Sequence, residues 1–142
     1  MDLRHQEIFQ RYVYAGAVTR NPDAVAALFT EDGVYDAPLV PEGHPLYGRL
    51  VGREAIRAGL RAYHRQLARP GMVDPRHSTH HLHDTADPDV FVAEIDVAVD
   101  EADGRRTTMS LVQVFRLRAG QIALLRDYFT EPPTGASGRH PR

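Results

Sequence analysis

A chain of 142 residues without one cysteine has no disulfide framework, no thiol nucleophile and no thiolate metal site, yet it is long enough to close one hydrophobic core unaided. A formal net charge of −2 gives no strong field for nucleic acid, and no apolar run reaches membrane-spanning length, so neither partner is expected. The start, MDLRHQEIFQ, is charged and amphipathic rather than a signal peptide, which points to a small soluble protein of the cytoplasm.

Residues 3 to about 18 read as a helix, because Ile8, Phe9, Tyr12, Val13 and Ala17 recur at helical spacing. A second, short helix follows in RNPDAVAALF, with Asn21 able to cap it and Pro22 suited to its first position. EDGVYDAP reads as a turn into a short strand, and LVPEGHPLYGRLVG as a Pro- and Gly-rich loop. REAIRAGLRAYHRQLA gives a third helix with Ile56, Leu60, Tyr63 and Leu67 along one stripe and its arginines on the solvent side. RPGMVDPR ends it. The period then changes. Residues 77–85, 90–99, 105–117 and 121–130 are rich in Val, Ile, Thr and aromatics and read as four strands. EADGRR and LRAGQI supply the hairpin turns. Residues 131–142, PPTGASGRHPR after Glu131, bury nothing and are expected to form a mobile tail to a domain of residues 1–130. Three helices followed by long antiparallel strands is an α+β pattern. A strongly curved sheet wrapped on such helices makes a cone with an apolar pocket at its mouth.

Chemistry-bearing residues fall on strand faces. In VFVAEIDVAV, Phe91, Ala93, Ile95, Val97 and Val99 share one face, and Val90, Val92, Glu94, Asp96 and Ala98 the other. In IALLRDYF, Asp127 lies with Leu125 and Phe129, and Arg126 lies opposite with Leu124 and Tyr128. If the Glu94/Asp96 face and the Asp127 face line one pocket, three carboxylates converge. They cannot all ionise cheaply in a low dielectric, so one becomes an acid beside an ionised base. RHSTHHLHD puts His77, Thr79, His81 and His83 on one face and His80 on the other. Three histidines at alternate positions can bind a metal. No carboxylate stands at a matching spacing, so the expectation is no metal and a His81 or His83 that orients substrate or shuttles a proton.

The frame F-x-x-x-x-G-x-I-x-x-x-R-D-Y-F near the C-terminus, with ALFTEDGVYDAP and GREAIRAGL before it, resembles the superfamily of nuclear transport factor 2, ketosteroid isomerase and the SnoaL-like polyketide cyclases. The resemblance covers roughly residues 5–130. Its last two strands are most similar to limonene epoxide hydrolase. That likeness places Asp127 and Asp96 at the hydrolase's two catalytic aspartates and Tyr35 at its water-positioning tyrosine. Ala37 stands where the water-positioning Asn belongs, and Glu94 where a bridging Arg belongs. The ketosteroid isomerase comparison places Tyr12 at the oxyanion tyrosine and Gln113 at the protonated aspartate. There the general base falls on Ala37, with Asp36 one position away. The resemblance implies a cofactor-independent acid–base enzyme acting on a hydrophobic small molecule. Catalysis is expected from Asp127, Asp96 and Glu94, and substrate contacts from Tyr12, Tyr35, Asp36, His81, His83 and Gln113. An acid in place of the bridging Arg favours proton donation, so a cyclase, isomerase or dehydratase of polyketide-like natural-product biosynthesis is expected ahead of an epoxide hydrolase. A non-catalytic ligand-binding module is the other class this fold supports. A homodimer is expected, because one face of a strand such as 105–117 would otherwise expose Val, Met and Phe.

Overall fold

The computed structural model describes residues 2–66, 72–101 and 103–130. Three helices lead. Helix α1, Leu3–Val13, is capped by Asp2, whose side chain accepts from the Arg4 amide, and it runs into a wider π turn at Tyr14–Val18. Helix α2, Pro22–Ala27, is capped by Asn21 through the Ala24 amide at 3.1 Å, as its sequence predicts. Helix α3, Arg53–Gln66, buries Ile56 and Leu60. The expected mobile tail, residues 131–142, lies outside the described residues.

Among the described residues seven strands make one mixed, mostly antiparallel sheet. They are β1 (Phe29–Asp36), β2 (Arg49–Val51), β3 (Met72–Val73), β4 (Thr79–Asp84), β5 (Val90–Asp100), β6 (Arg106–Arg118) and β7 (Gln121–Tyr128). The order is β2-β1-β7-β6-β5, and β5 carries β4 against Phe91–Asp96 and β3 against Val99–Asp100 on its far side. Among the described residues only the β1–β7 pairing is parallel. Several elements differ from the sequence reading: β2 lies in the Pro- and Gly-rich stretch expected to be a loop, and β3 in the stretch expected only to end the third helix. The strand at EDGVYDAP begins earlier, at Phe29, and absorbs the acidic turn as a register shift between Phe29 and Val34. His77 lies in a 3₁₀ turn, Pro75–His77, rather than in β4, with its Nδ1 2.8 Å from Asp74 Oδ2.

The sheet is curved and open, and the helices close its concave face. Phe9, Ile56 and Leu60 from the helices meet Phe91, Phe115, Leu125 and Phe129 from the strands in one core. Phe91 and Phe115, directly opposed on β5 and β6, stack with ring centroids 4.6 Å apart. His5 ties α1 to the sheet. It is 1% exposed, stacks on Phe91, and places Nδ1 2.9 Å from Asp84 Oδ1 and Nε2 2.7 Å from the Pro88 carbonyl.

Candidate functional site

The antiparallel register sets one row of side chains across the sheet: Ala93 on β5 opposes Gln113 on β6, which opposes Asp127 on β7. Partners in register share a face, so this whole row points to the concave side. The next row, Glu94–Val112–Tyr128, points out. The concave row reaches a cavity of about 530 Å³ between the sheet and the helices. Its walls are mainly apolar, with Val25, Leu60, Ile95, Leu111 and Phe129 among them. The polar residues of the lining include Tyr12, Tyr35, Gln113 and Asp127, together with Tyr63, His64, His80 and Arg20. The π turn at Tyr14–Val18 contributes Tyr14 and Val18, both largely exposed, to the same lining. Such turns recur at functional sites because they widen a helix where a ligand approaches.

Asp127 is 6% exposed. The Tyr35 hydroxyl donates to its Oδ2 at 2.6 Å, and Gln113 Nε2 donates to its Oδ1 at 3.2 Å. Both donors are neutral. Burial pushes the Asp127 pKa up to about 6, and the two hydrogen bonds hold it from rising further. Tyr35 is itself buried, and its hydroxyl pKa is raised by burial and by the Asp127 charge. The Tyr12 hydroxyl is raised by the same two causes, so Tyr12 stays a hydrogen-bond donor across the physiological range. The arrangement is one carboxylate in an apolar cavity, fixed by neutral donors, with a second phenol within its electrostatic reach. A group so poised exchanges protons near neutral pH.

The strand alternation at Arg126-Asp127 separates two jobs. Arg126 points to the convex face, where its Nε meets Asp36 Oδ2 at 3.2 Å and its guanidinium lies 5.2 Å from the Tyr128 ring centroid. Asp36 is therefore an ion-pair partner on the outer face and does not line the cavity, contrary to its expected role in substrate binding.

The convergence of three carboxylates does not occur. Glu94 and Asp96 are exposed on the convex face. There Glu94 Oε1 lies 2.6 Å from His83 Nε2, and Asp96 Oδ1 accepts from Ser110 Oγ at 2.5 Å. The β5 positions that line the cavity are Ile95 and Val97, while Ala93 on the same face is buried in the core. The sequence carried the signal: Phe91, Ala93, Ile95, Val97 and Val99 are uniformly apolar, and the uniformly apolar face of a half-buried strand is the inner one. His81 and His83 are likewise turned out, opposite Glu94 and Val92. His80, opposite Ile95, turns in and packs on Phe9 at 4.8 Å. Among the described residues no group of three or more His, Asp or Glu side chains gathers as a metal site. His64 also lines the cavity, a contact that the sequence reading does not single out. Its place one turn beyond Leu60, on the apolar stripe, was the signal. Tyr12, Tyr35, Gln113 and Asp127 all lie in the cavity wall.

Comparison with known proteins matches residues 9–125 to the SnoaL-like domain. An uncharacterised PhzA/B-like protein of Pseudomonas aeruginosa is 32% identical over 103 residues, 72% of this chain and 67% of the relative. A Bacillus subtilis structure provisionally named an isomerase superposes with TM-score 0.71 at 22% identity, covering 92% of this chain and 90% of the other. A Xanthomonas campestris protein provisionally named a polyketide cyclase gives 0.65 at 20% identity, covering 90% and 91%. An epoxide hydrolase of Mycobacterium tuberculosis, like limonene epoxide hydrolase, gives 0.58 at 22% identity, covering 87% and 80%. At these identities the structures establish the shared fold, and the domain match establishes the lineage: the chain belongs to the SnoaL-like domain family.

Proposed function

We propose that this protein is a cofactor-independent acid–base enzyme for an apolar small molecule, a cyclase, isomerase or dehydratase of polyketide-like natural-product biosynthesis, with Asp127 as its catalytic residue. The observation that supports this reading is a single buried carboxylate, raised to a pKa of about 6, aimed into a mainly apolar cavity and held only by neutral donors. A desolvated carboxylate with such a pKa is mostly ionised at pH 7 and still strong enough as a base to matter. Asp127 takes a proton from carbon next to a substrate carbonyl. The electron pair moves onto the carbonyl oxygen, and the Tyr12 hydroxyl stabilises the oxyanion as a donor. The enolate carbon then bonds to an electrophilic carbon of the same molecule, or expels a β-oxygen group. The carboxylic acid form of Asp127 returns the proton to the departing or newly formed oxyanion. Tyr35 and Gln113 are positioning residues that fix the carboxylate by both oxygens.

Epoxide hydrolysis by an aspartate pair bridged by Arg is not favoured, because no acidic or basic side chain of β5 faces the cavity. Enolisation is tested directly by proton exchange of an apolar ketone such as 2-tetralone in heavy water, followed by NMR. The wild type is expected to accelerate exchange at the α-carbon, with kcat/KM falling below about pH 6 as Asp127 protonates. Asp127→Asn is expected to lose ~10²–10⁴ of that rate. Exchange no faster than buffer across a panel of ketones, or an unaffected Asn variant, would overturn the proposal in favour of a binding module.

A further inference from the structure

Three histidines each face a carboxylate: His5 lies 2.9 Å from Asp84, His77 2.8 Å from Asp74 and His83 2.6 Å from Glu94. Those rings are structural pairs. His80 differs. Among the described residues its ring makes no hydrogen bond or ion pair, and its one aromatic contact is Phe9, 4.8 Å away between centroids. Register aims it inward: His80 opposes Ile95, Ile95 opposes Leu111, and all three line the cavity. Partners in register share a face. His80 is exposed, so it stands where the cavity opens, whereas Asp127, 6% exposed, stands at its floor. An apolar cavity carries few polar groups, and those that face it without a protein partner orient the ligand. The part that sequence spacing gave to His81 or His83 thus falls to the neighbour between them in the alternation.

The row of Asp127 crosses the sheet through Gln113 and Ala93 to Leu82 on β4. His80 is two residues from Leu82 on that strand. Its separation from Asp127 is therefore three strand spacings across, roughly 14 Å, and two residues along, roughly 7 Å, before the curvature of the sheet draws the side chains together. The wall between them carries Phe9, Ile95 and Leu111. The two groups are too far apart to serve one oxygen atom. Resting on the acid–base reading of this same cavity, we infer that His80 is a specificity-determining residue that hydrogen-bonds a hydroxyl at the end of the substrate remote from the reacting carbonyl. The substrate class is thereby an elongated apolar ketone of about three linked rings, oxygenated at both ends. A hydroxyl suits the position because it both donates and accepts, and so pairs with either tautomer of a neutral imidazole. The reacting end enters first, toward Asp127 and Tyr12, and the hydroxylated end stays at the mouth. A site that hydrogen-bonds a substrate hydroxyl discriminates against the analogue lacking it, which a purely apolar mouth would not do.

The test is binding, so that it is independent of turnover. Calorimetry at neutral pH measures the affinities of three-ring ketones of the tetrahydroanthracenone and tetrahydrophenanthrenone types. Each is taken unsubstituted and with one hydroxyl at successive positions of the ring farthest from the carbonyl. For at least one position the wild type is expected to bind the hydroxylated ketone about tenfold more tightly than its parent. His80→Phe keeps a ring against Phe9 and is expected to abolish that preference. His80→Gln keeps a donor and an acceptor and is expected to retain part of it. Circular dichroism and thermal melts confirm that each variant is folded, and His80→Leu replaces the Phe variant if that one is not. No preference at any position would mean that water serves His80, and would overturn the assignment. A preference unchanged in His80→Phe would overturn it as well. A preference lost as fully in His80→Gln would trace the effect to ring shape and overturn the hydrogen bond. If the hydroxyl preference fails while Asp127-dependent α-proton exchange persists, the role of His80 is wrong and the acid–base reading stands. If exchange fails while the His80-dependent preference holds, the cavity binds such ligands without reacting them.

Discussion

An Arg and an Asp side by side in an apolar strand look redundant until the pleat is considered. Each serves a different face, Arg126 paired with Asp36 outside and Asp127 facing the cavity inside. Keeping a carboxylate in that cavity has a measurable cost. The folded pKa of Asp127, about 6, lies above the ordinary 3.8, so its favourable contribution is complete below about pH 4 and is lost as pH rises through 6. Asp127→Asn removes the ionisation. The variant is therefore expected to be more stable than the wild type above pH 6, by about 1–3 kcal/mol at ~1.4 kcal/mol per pKa unit, with the advantage vanishing toward pH 4. Urea unfolding at pH 4, 6 and 8 checks this, and a pH-independent difference would show that Asp127 does not titrate in that window. Glu94 gives the opposite expectation. Because it is exposed on the convex face beside His83, Glu94→Arg should leave α-proton exchange unaltered and create no epoxide hydrolysis. Diol formation from limonene oxide by that variant would show that β5 reaches the cavity after all.

At the scale of elements, the turns set the register on which the site depends. Arg118 and Gln121 pair across a two-residue hairpin loop, Ala119-Gly120, whose φ values are +52° and +80°. Two positive φ values suit the right-handed twist of the flanking strands. Glycine meets the demand freely, while alanine holds a left-handed conformation at some cost. Ala119→Asn is expected to stabilise the protein by about 0.5–1 kcal/mol without affecting the cavity, as read from the urea midpoint at unchanged slope. A slip of one residue at this loop would turn Asp127 outward and Arg126 inward. Within β1, Gly33 is needed for space: a Cβ there would stand 2.9 Å from Phe29 Cβ and 3.0 Å from the Thr30 carbonyl oxygen. That tight crossing belongs to the register shift that carries β1 toward Tyr35.

For the whole molecule, the curvature leaves a convex face that no other described element covers. Val112, 37% exposed, lies there with half-buried Val92 and Val114, and His83, Glu94, Asp96 and Ser110 surround it. Met109 and Phe115, expected on that face, point inward instead, to the cavity and the core respectively. We therefore propose the homodimer on the strength of the valines and Tyr128 rather than of Met and Phe. Analytical ultracentrifugation at micromolar concentration is expected to give a species twice the mass of the 15.9 kDa chain, and Val112→Asp to return it to monomer. A wild type sedimenting as monomer would remove the dimer.

What the sequence determined by itself is local and periodic. Helical spacing, the Asn21 cap, the strand alternation and the Gly120 turn are each encoded within a few residues, because capping and pleating are short-range geometry. The separation of Arg126 from Asp127 is also of this kind. What only the tertiary structure decided is which of two alternating faces is the inside of each strand. On β4 the histidines occupy both faces, and on β5 the acidic face carries enough valine to mimic a buried one. The choice is made by register with β6 and β7, which sets Ala93, Gln113 and Asp127 in one row and leaves Glu94 and Asp96 in the next. The buried atoms Gln113 Oε1 and His64 Nδ1 belong to the same category. Whether a buried atom has a partner depends on groups distant in the chain, and among the described residues none reaches either.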